Sequence, residues 1–222
     1  MIKLKKINTV LFDLDGTLIN SNELIIKSFD ETMKKYMPQK QFTREELIEM
    51  IGPPLKETFR VATDSQKIIQ EMIDYYRKVY VALEFEYINI YPGTIEMLKE
   101  FKNRQFNLGI VTTKFKESAM PSITHYGLDK YITSYCFLDD VLEHKPHPEP
   151  LFFALRQFDN YQKVIMVGDN TSDILAGKNA SCLTCGLEWS IKKDLIKALN
   201  PDFWIRDYSE LIKLIDKYNK EV

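Results

Sequence analysis

The apolar positions of this chain follow two different periods. Ile7 to Phe12 form a short apolar run, the pattern of a fully buried strand. From about residue 18 to residue 90 the spacing is helical. Ser21 can cap a helix whose Leu24, Ile25, Phe29, Met33 and Tyr36 share one face, and Pro38 ends it. Thr43 and Glu46 match a capping box opening a second helix through Leu47, Ile48 and Ile51, which Gly52-Pro53-Pro54 breaks. A shorter helical piece with Leu55 and Phe59 precedes a long helix from about Ser65 to Leu83. On it Ile68, Ile69, Met72, Tyr75, Tyr76, Val79 and Leu83 keep helical spacing. No convincing strand is predicted in this region.

From Tyr91 onward the two patterns alternate. A helix from Ile95 to about Asn103 leads to the run Leu108–Thr112, and a further helix is expected to distort at Pro121. Tyr135–Leu138 reads as a strand. Pro148 then suits a helix start, with Leu151, Phe152 and Leu155 facing inward. Val164–Val167 is a further strand, followed by a helix around Asp173–Asn179 and by Leu183–Leu187. Phe203–Ile205 is weaker, and Ser209 is expected to cap a last helix. Strands alternating with helices predict an α/β fold with a parallel, doubly wound, Rossmann-like sheet. The expected domains are residues 1–17 with 91–222, and an inserted all-helical domain over 18–90.

With 222 residues and 45% hydrophobic content the chain can bury a large core. Lys and Arg number 30 against 32 Asp and Glu, a formal net charge of −2. That balance argues against nucleic acid and against an anionic membrane surface as partners. No stretch approaches the roughly 18 uninterrupted apolar residues of a membrane span. Basic residues follow Met1, but no long apolar region and cleavage site come after them, so no secretory signal is read. Three cysteines, Cys136, Cys182 and Cys185, make no disulfide framework and fit a reducing compartment. A soluble cytoplasmic protein, monomeric or a small homo-oligomer, is expected.

The first strand ends in two carboxylates, Asp13 and Asp15, with Gly16 permitting a sharp turn directly after them. Two acids at a buried strand end repel each other and are costly to desolvate, and a divalent cation is the simplest remedy. In an open parallel sheet ligands sit beyond the carboxyl ends of the strands. Other polar groups fall at or near such ends: Thr112 and Thr113, Lys145, and Asp169 with Asp173. Together they supply a nucleophile, a metal clamp, hydroxyl and amide donors and a fixed cation, which is what phosphoryl transfer requires.

Asp13-Leu14-Asp15-Gly16-Thr17, Val111-Thr112-Thr113, Lys145-Pro146 and Gly168-Asp169-Asn170-Thr171-Ser172-Asp173 resemble the four motifs of the haloacid dehalogenase-like hydrolases. Their order and strand placement fit, and the resemblance covers nearly the whole chain. The helical insertion is similar to that family's C1 cap. Several runs resemble a bacterial pyrophosphatase branch, among them Ile51-Gly52-Pro53, Leu108–Lys114, Leu138–Val141 and Ile165–Asn170; phosphoglycolate phosphatases share much of this pattern.

What the resemblance implies is a phosphohydrolase with Mg2+ as cofactor. Asp13 would be the nucleophile that becomes an aspartyl-phosphate, and Asp15 the acid and later the base. Mg2+ would be held by Asp13, the Asp15 main-chain carbonyl and Asp169, with Asp173 orienting Lys145 or a water of the metal shell. Thr112 would donate its hydroxyl to the phosphate, aided by the Thr113 amide at a helix start, and Lys145 would neutralise phosphate and nucleophile. Dehalogenases lack an acid at the Asp15 position and ATPases usually carry Thr there, so the family comparison favours a phosphatase or phosphomutase. The expected partner is a small phosphorylated substrate, with inorganic pyrophosphate leading and phosphoglycolate hydrolysis or a sugar-phosphate mutase as alternatives. Pyrophosphate would want further cations, for which Lys114, Lys56 and Arg60 are candidates, with Gly52 to Lys56 contacting the leaving group. A non-catalytic phosphate-binding regulator would have no need of Asp15.

Cys182-Leu183-Thr184-Cys185 has C-x-x-C spacing, but residues three apart on a strand face opposite sides, and no second pair completes a zinc site. His144 and His147 flank Lys145 across Pro146 and read as loop residues, not ligands.

Overall fold

The computed structural model describes residues 6–222. Contacts divide the chain into two compact units, residues up to Leu18 together with Ile90–Val222, and Ile19–Asn89.

In the first unit, β1 (Ile7–Phe12), β4 (Asn107–Val111), β5 (Ser134–Cys136), β6 (Lys163–Val167), β7 (Leu183–Leu187) and β8 (Phe203–Ile205) form one parallel sheet in the order β5-β4-β1-β6-β7-β8. The chain leaves β1 toward β4 on one side and later returns to β6 on the other, so β1 lies at the topological switch. Pairing of Phe12 with Val167 and with Ile110 brings the carboxyl ends of β1, β6 and β4 level. The apolar runs of the sequence follow from burial on both faces. Leu11, Val111 and Met166 pack under α7 (Glu149–Leu155) and α8 (Thr171–Asn179), through Leu151, Ala154, Leu155 and Ala176. Alternation along β1 sends Val10 and Phe12 the opposite way, and they too are fully buried. Helices α5 (Thr94–Asn103) and α10 (Tyr208–Glu221) pack on each other and on the sheet through Met97, Phe101, Leu211 and Ile215.

The second unit is built on α1 (Asn22–Tyr36), α2 (Arg44–Glu49), α3 (Leu55–Thr58) and α4 (Gln66–Tyr87). Phe29 sits edge-on to Phe59, with ring centroids 5.8 Å apart, and against Tyr76 at 4.9 Å, so one aromatic cluster ties α1, α4 and the turn between them. Thr43 and Glu46 form the expected capping box. Among the described residues no helix is long and apolar enough to cross a membrane.

Several local expectations are corrected. Two short strands, β2 (Ile19–Asn20) and β3 (Asn89–Ile90), pair as a separate ladder at the ends of the region read as free of strands. Ile68 and Phe152 face solvent, and Ile73 and Ala154 take the buried positions. Leu138 lies in a 3-10 turn, because the β5 edge strand stops at Cys136. A short helix, α9 (Lys193–Ala198), was not expected. Ser21 stands at its helix start but makes no side-chain cap bond. The last helix is capped two residues earlier than expected, by Asp207 and not Ser209: the Asp207 carboxylate accepts from the amides of Ser209 at 2.8 Å and Glu210 at 3.2 Å. Asp207→Ala is therefore expected to lower stability by about 1 kcal/mol and the melting temperature by about 2–4 °C, with Ser209→Ala nearly neutral. Thermal unfolding of the two variants checks the assignment; equal losses would overturn it.

Candidate active site

The sequence places carboxylates just beyond strand ends, and the sheet order turns that local feature into a cluster. Asp13 follows β1, and its amide donates to the Val167 carbonyl at 3.0 Å, carrying the strand pairing one residue further. Asp169 follows β6. Asp173 sits in the first turn of α8, where Asn170 and Asp173 form a capping box and the Asn170 amide donates to Asp173 Oδ2 at 2.9 Å. Lys145 reaches the same point from the loop after β5. Its Nζ donates to Asp13 Oδ1 at 2.8 Å, Asp173 Oδ1 at 2.6 Å and the Val111 carbonyl at 2.8 Å, which uses all three ammonium protons. Oxygens of Asp13, Asp169 and Asp173 lie within 4.8 Å of one another, and all three residues are buried.

Two glycines make this approach possible. A Cβ on Gly16, at φ +78°, would fall 2.1 Å from Asp169 Oδ2. One on Gly168 would fall 2.3 Å from the Asp173 Cβ. The second overlap cannot be relieved by a swinging side-chain tip, and relief of the first would move the Asp169 carboxylate itself, so the carboxylates occupy the space that side chains would take. Neutral donors complete the frame: the Thr17 hydroxyl donates to Asp169 Oδ1 at 2.9 Å and the Ser190 hydroxyl to the Asp169 carbonyl at 2.6 Å.

Three carboxylates facing one ammonium leave excess negative charge in a place with little water. Burial, with further push from Asp173 and against the pull of Lys145, raises Asp13 to about 7. Burial and the neighbouring Asp13 and Asp173 also raise Asp169 well above the carboxylate range. Burial alone would lower the Lys145 ammonium, but Asp13 and Asp173 outweigh it and keep it charged. An all-oxygen, anionic donor set of this kind fits a hard divalent cation, which would offset the repulsion that burial amplifies.

The other expected site residues are distributed as follows. The Asp15 carboxylate lies outside the triad, 3.5 Å from Lys114 Nζ. The Thr112 hydroxyl oxygen accepts from the Lys114 amide at 3.2 Å, leaving its O–H to donate elsewhere. Thr113 is not at a helix start: α6 (Lys116–His125) begins after Phe115, so a helix dipole at the Thr113 amide is not supported. Gly52, at φ 118°, Lys56 in α3 and Arg60 in a 3-10 turn belong to the helical unit, and Lys56 and Arg60 are exposed there. Burial pushes the Cys182 thiol up to about 11 and raises Cys185 as well, the opposite of a reactive thiolate. His147 Nδ1 accepts from the Glu149 amide at 3.2 Å, a loop role. Sequence reasoning missed Ser190, Trp189 and Tyr208, which act on main-chain carbonyls and carry no local motif.

The raised carboxyls give a stability signature. Asp13 holds its proton in the folded chain up to about pH 7 but loses it near 3.8 when unfolded, so the folded form binds more protons between those values. Metal-free protein is therefore expected to lose thermal stability as pH rises from about 4 to about 7, and millimolar divalent cation to restore more at pH 8 than at pH 5. Scanning calorimetry with and without chelator checks this; a cation effect independent of pH would contradict it.

Comparison with known proteins agrees with the geometry. Residues 10–187 match the family described as haloacid dehalogenase-like hydrolase. The chain is 42% identical over 212 residues to pyrophosphatase PpaX of Halalkalibacterium halodurans, covering 95% of this chain and 97% of that protein. It is 39% identical over 217 residues to PpaX of Bacillus cereus, covering 97% and 99%. The crystal structure of a predicted phosphatase from Clostridium acetobutylicum superposes with a TM-score of 0.80 at 25% identity, over 97% of this chain and 100% of that one. With the buried acidic triad at the switch of a parallel sheet, these matches assign the chain to the haloacid dehalogenase-like hydrolases.

Proposed function

We propose that this enzyme is an Mg2+-dependent phosphohydrolase that works through an aspartyl-phosphate on Asp13, with inorganic pyrophosphate as its substrate. The observation that carries the chemistry is Lys145 Nζ bridging Asp13 and Asp173, with Asp169 beside them. The substrate rests on the relatives named as pyrophosphatases over nearly their full length.

Asp13 and Asp169 would hold the ion together with the Asp15 main-chain carbonyl, with Asp173 completing the metal site from the Lys145 side, where it orients the ammonium. When bound, Mg2+ supplies charge compensation for the phosphoryl group and for the carboxylates. Lys145 engages Asp13 Oδ1 and so fixes the rotation of the carboxylate that attacks phosphorus. An Asp13 oxygen forms the new P–O bond as the bond to the leaving phosphate breaks, and Asp15 passes its proton to the leaving oxygen. Water then attacks the aspartyl-phosphate, Asp15 takes its proton, and phosphate departs with the Asp13 carboxylate restored. Thr112, whose oxygen is already engaged by the Lys114 amide, directs its O–H to a phosphoryl oxygen. Thr113, Lys114, Gly52, Lys56 and Arg60 are the proposed substrate-binding residues. The reaction is proposed to run in the cytoplasm, where three unpaired cysteines persist.

Phosphate release from pyrophosphate, phosphoglycolate and several sugar phosphates, with Asp13→Asn as the blank, tests the reading. A kcat/KM preference for pyrophosphate that vanishes in Asp13→Asn is expected. Preference for phosphoglycolate would keep the chemistry and replace the substrate, and no turnover on any of them would reject the hydrolase reading. Lys56→Ala with Arg60→Ala is expected to raise KM for pyrophosphate about tenfold, roughly the loss of one partly exposed charge contact. An unchanged kcat/KM would remove both residues from the substrate site.

A further inference from the structure

Beyond the charged cluster, the turn that follows Asp13 is held from outside by neutral donors on three consecutive carbonyls. The turn closes on itself where the Leu18 amide donates to the Leu14 carbonyl at 2.9 Å. The Trp189 indole N–H donates to the Gly16 carbonyl at 3.2 Å. The Tyr208 hydroxyl donates to the Thr17 carbonyl at 2.6 Å. The Leu18 carbonyl accepts from the Tyr91 amide at 3.1 Å and from the Thr94 hydroxyl at 3.4 Å. The donors come from the loop after β7, the start of α10 and the start of α5, and their rings pack together. Trp189 stands 5.1 Å from Tyr208 and 5.3 Å from Tyr91, centroid to centroid.

We infer that Trp189 and Tyr208 are positioning residues for the reaction, clamping the peptide planes of Gly16 and Thr17 so that the catalytic turn keeps one geometry. A glycine at positive φ leaves neighbouring peptide planes free to rotate at little cost, and a rotated plane would displace every group hung on it. Thr17 is such a group, because its hydroxyl orients Asp169 at 2.9 Å. Tyr208 is 1% exposed, and burial with Tyr91 and Asp169 nearby raises its pKa, so the phenol remains a donor over the working pH range. Neither side chain touches a reacting atom in this scheme; both act through the main chain on Thr17, and through Thr17 on Asp169. Misplacement of a catalytic group by a fraction of an ångström is enough to slow a reaction by an order of magnitude or more.

The inference rests on the phosphohydrolase reading above, and the experiment separates the two. Tyr208→Phe keeps the ring and its packing and removes one donor; Trp189→Phe removes the other. In steady-state assays on the substrate that wild type turns over best, each variant is expected to lower kcat about tenfold, equivalent to about 1.4 kcal/mol, with KM within about twofold. Effects on kcat in the double variant are expected to be less than multiplicative, because both bonds hold one turn. Calorimetric titration with Mg2+ alone is the readout independent of turnover, and Tyr208→Phe is expected to weaken binding about three- to tenfold by releasing Thr17 and Asp169. A Tyr208→Phe protein that melts earlier yet binds Mg2+ and turns over as wild type does would overturn the clamp and leave a packing role only. Wild type that binds no Mg2+ and hydrolyses nothing would instead sink the phosphohydrolase reading, and the clamp with it.

Discussion

Like charge held out of water is the constraint on which this structure depends. Asp13, Asp169 and Asp173 are buried within 4.8 Å of one another, and Lys145 is the ammonium that bridges two of them. Such a cluster costs free energy unless its charges are neutralised by proton, ammonium or cation. The raised pKa of Asp13, about 7, expresses that cost in the metal-free protein. The same cost is a source of affinity for a hard cation, since binding one relieves repulsion that water cannot screen. Stability without metal is given up for a preformed site.

The fold is what makes the cluster reachable. Residues 13 and 145 are far apart in the chain from each other and from the pair 169 and 173, and no local structure could join the three segments. A parallel sheet with β1 between β4 and β6 brings the strand ends level and puts the outgoing loops over one spot. Register then matters to a single residue. A one-residue slip of β6 against β1 would carry Asp169 out of range of Thr17 and exchange the side chains that its two buried faces present to their cores. The apolar cores on both faces, Leu11, Val111 and Met166 on one and Val10 and Phe12 on the other, resist that slip.

Much of this was legible in the chain itself. The sheet could be read because strands buried on both faces must be apolar throughout, and the charged site because its residues stand at the ends of those runs. What escaped reading has a common cause: it is decided by neighbours distant in sequence. Ile68 and Phe152 have helical spacing but fall at the margin of a face whose width only packing defines. Ser209 and Asp207 are both good caps, and where the helix begins depends on how Tyr208 is buried. The ladder of β2 with β3 joins residues about seventy apart and has too few residues for a pattern. Thr113 was placed at a helix start by the family resemblance, whereas in this chain the turn after β4 runs on to Phe115 before the helix begins.

The division between legible and illegible residues also follows charge. Asp13, Asp15, Lys145, Asp169 and Asp173 announce themselves because charged groups at buried strand ends need a reason. Thr17, Ser190, Trp189 and Tyr208 hold the same site and are neutral. That neutrality is required of them. Another ammonium in any of their places would offset the excess negative charge, lower the raised carboxyls toward their ordinary range and remove the demand for a cation. A framework that must fix geometry without altering charge is restricted to hydroxyls, indoles and amides, and it works best on main-chain carbonyls, which are neutral too. The turn Gly16-Thr17-Leu18 is held in this way, carbonyl by carbonyl. Much of the rigidity is thereby supplied by neutral residues, and a change in one of them alters geometry while leaving the formal charge of the site as it was.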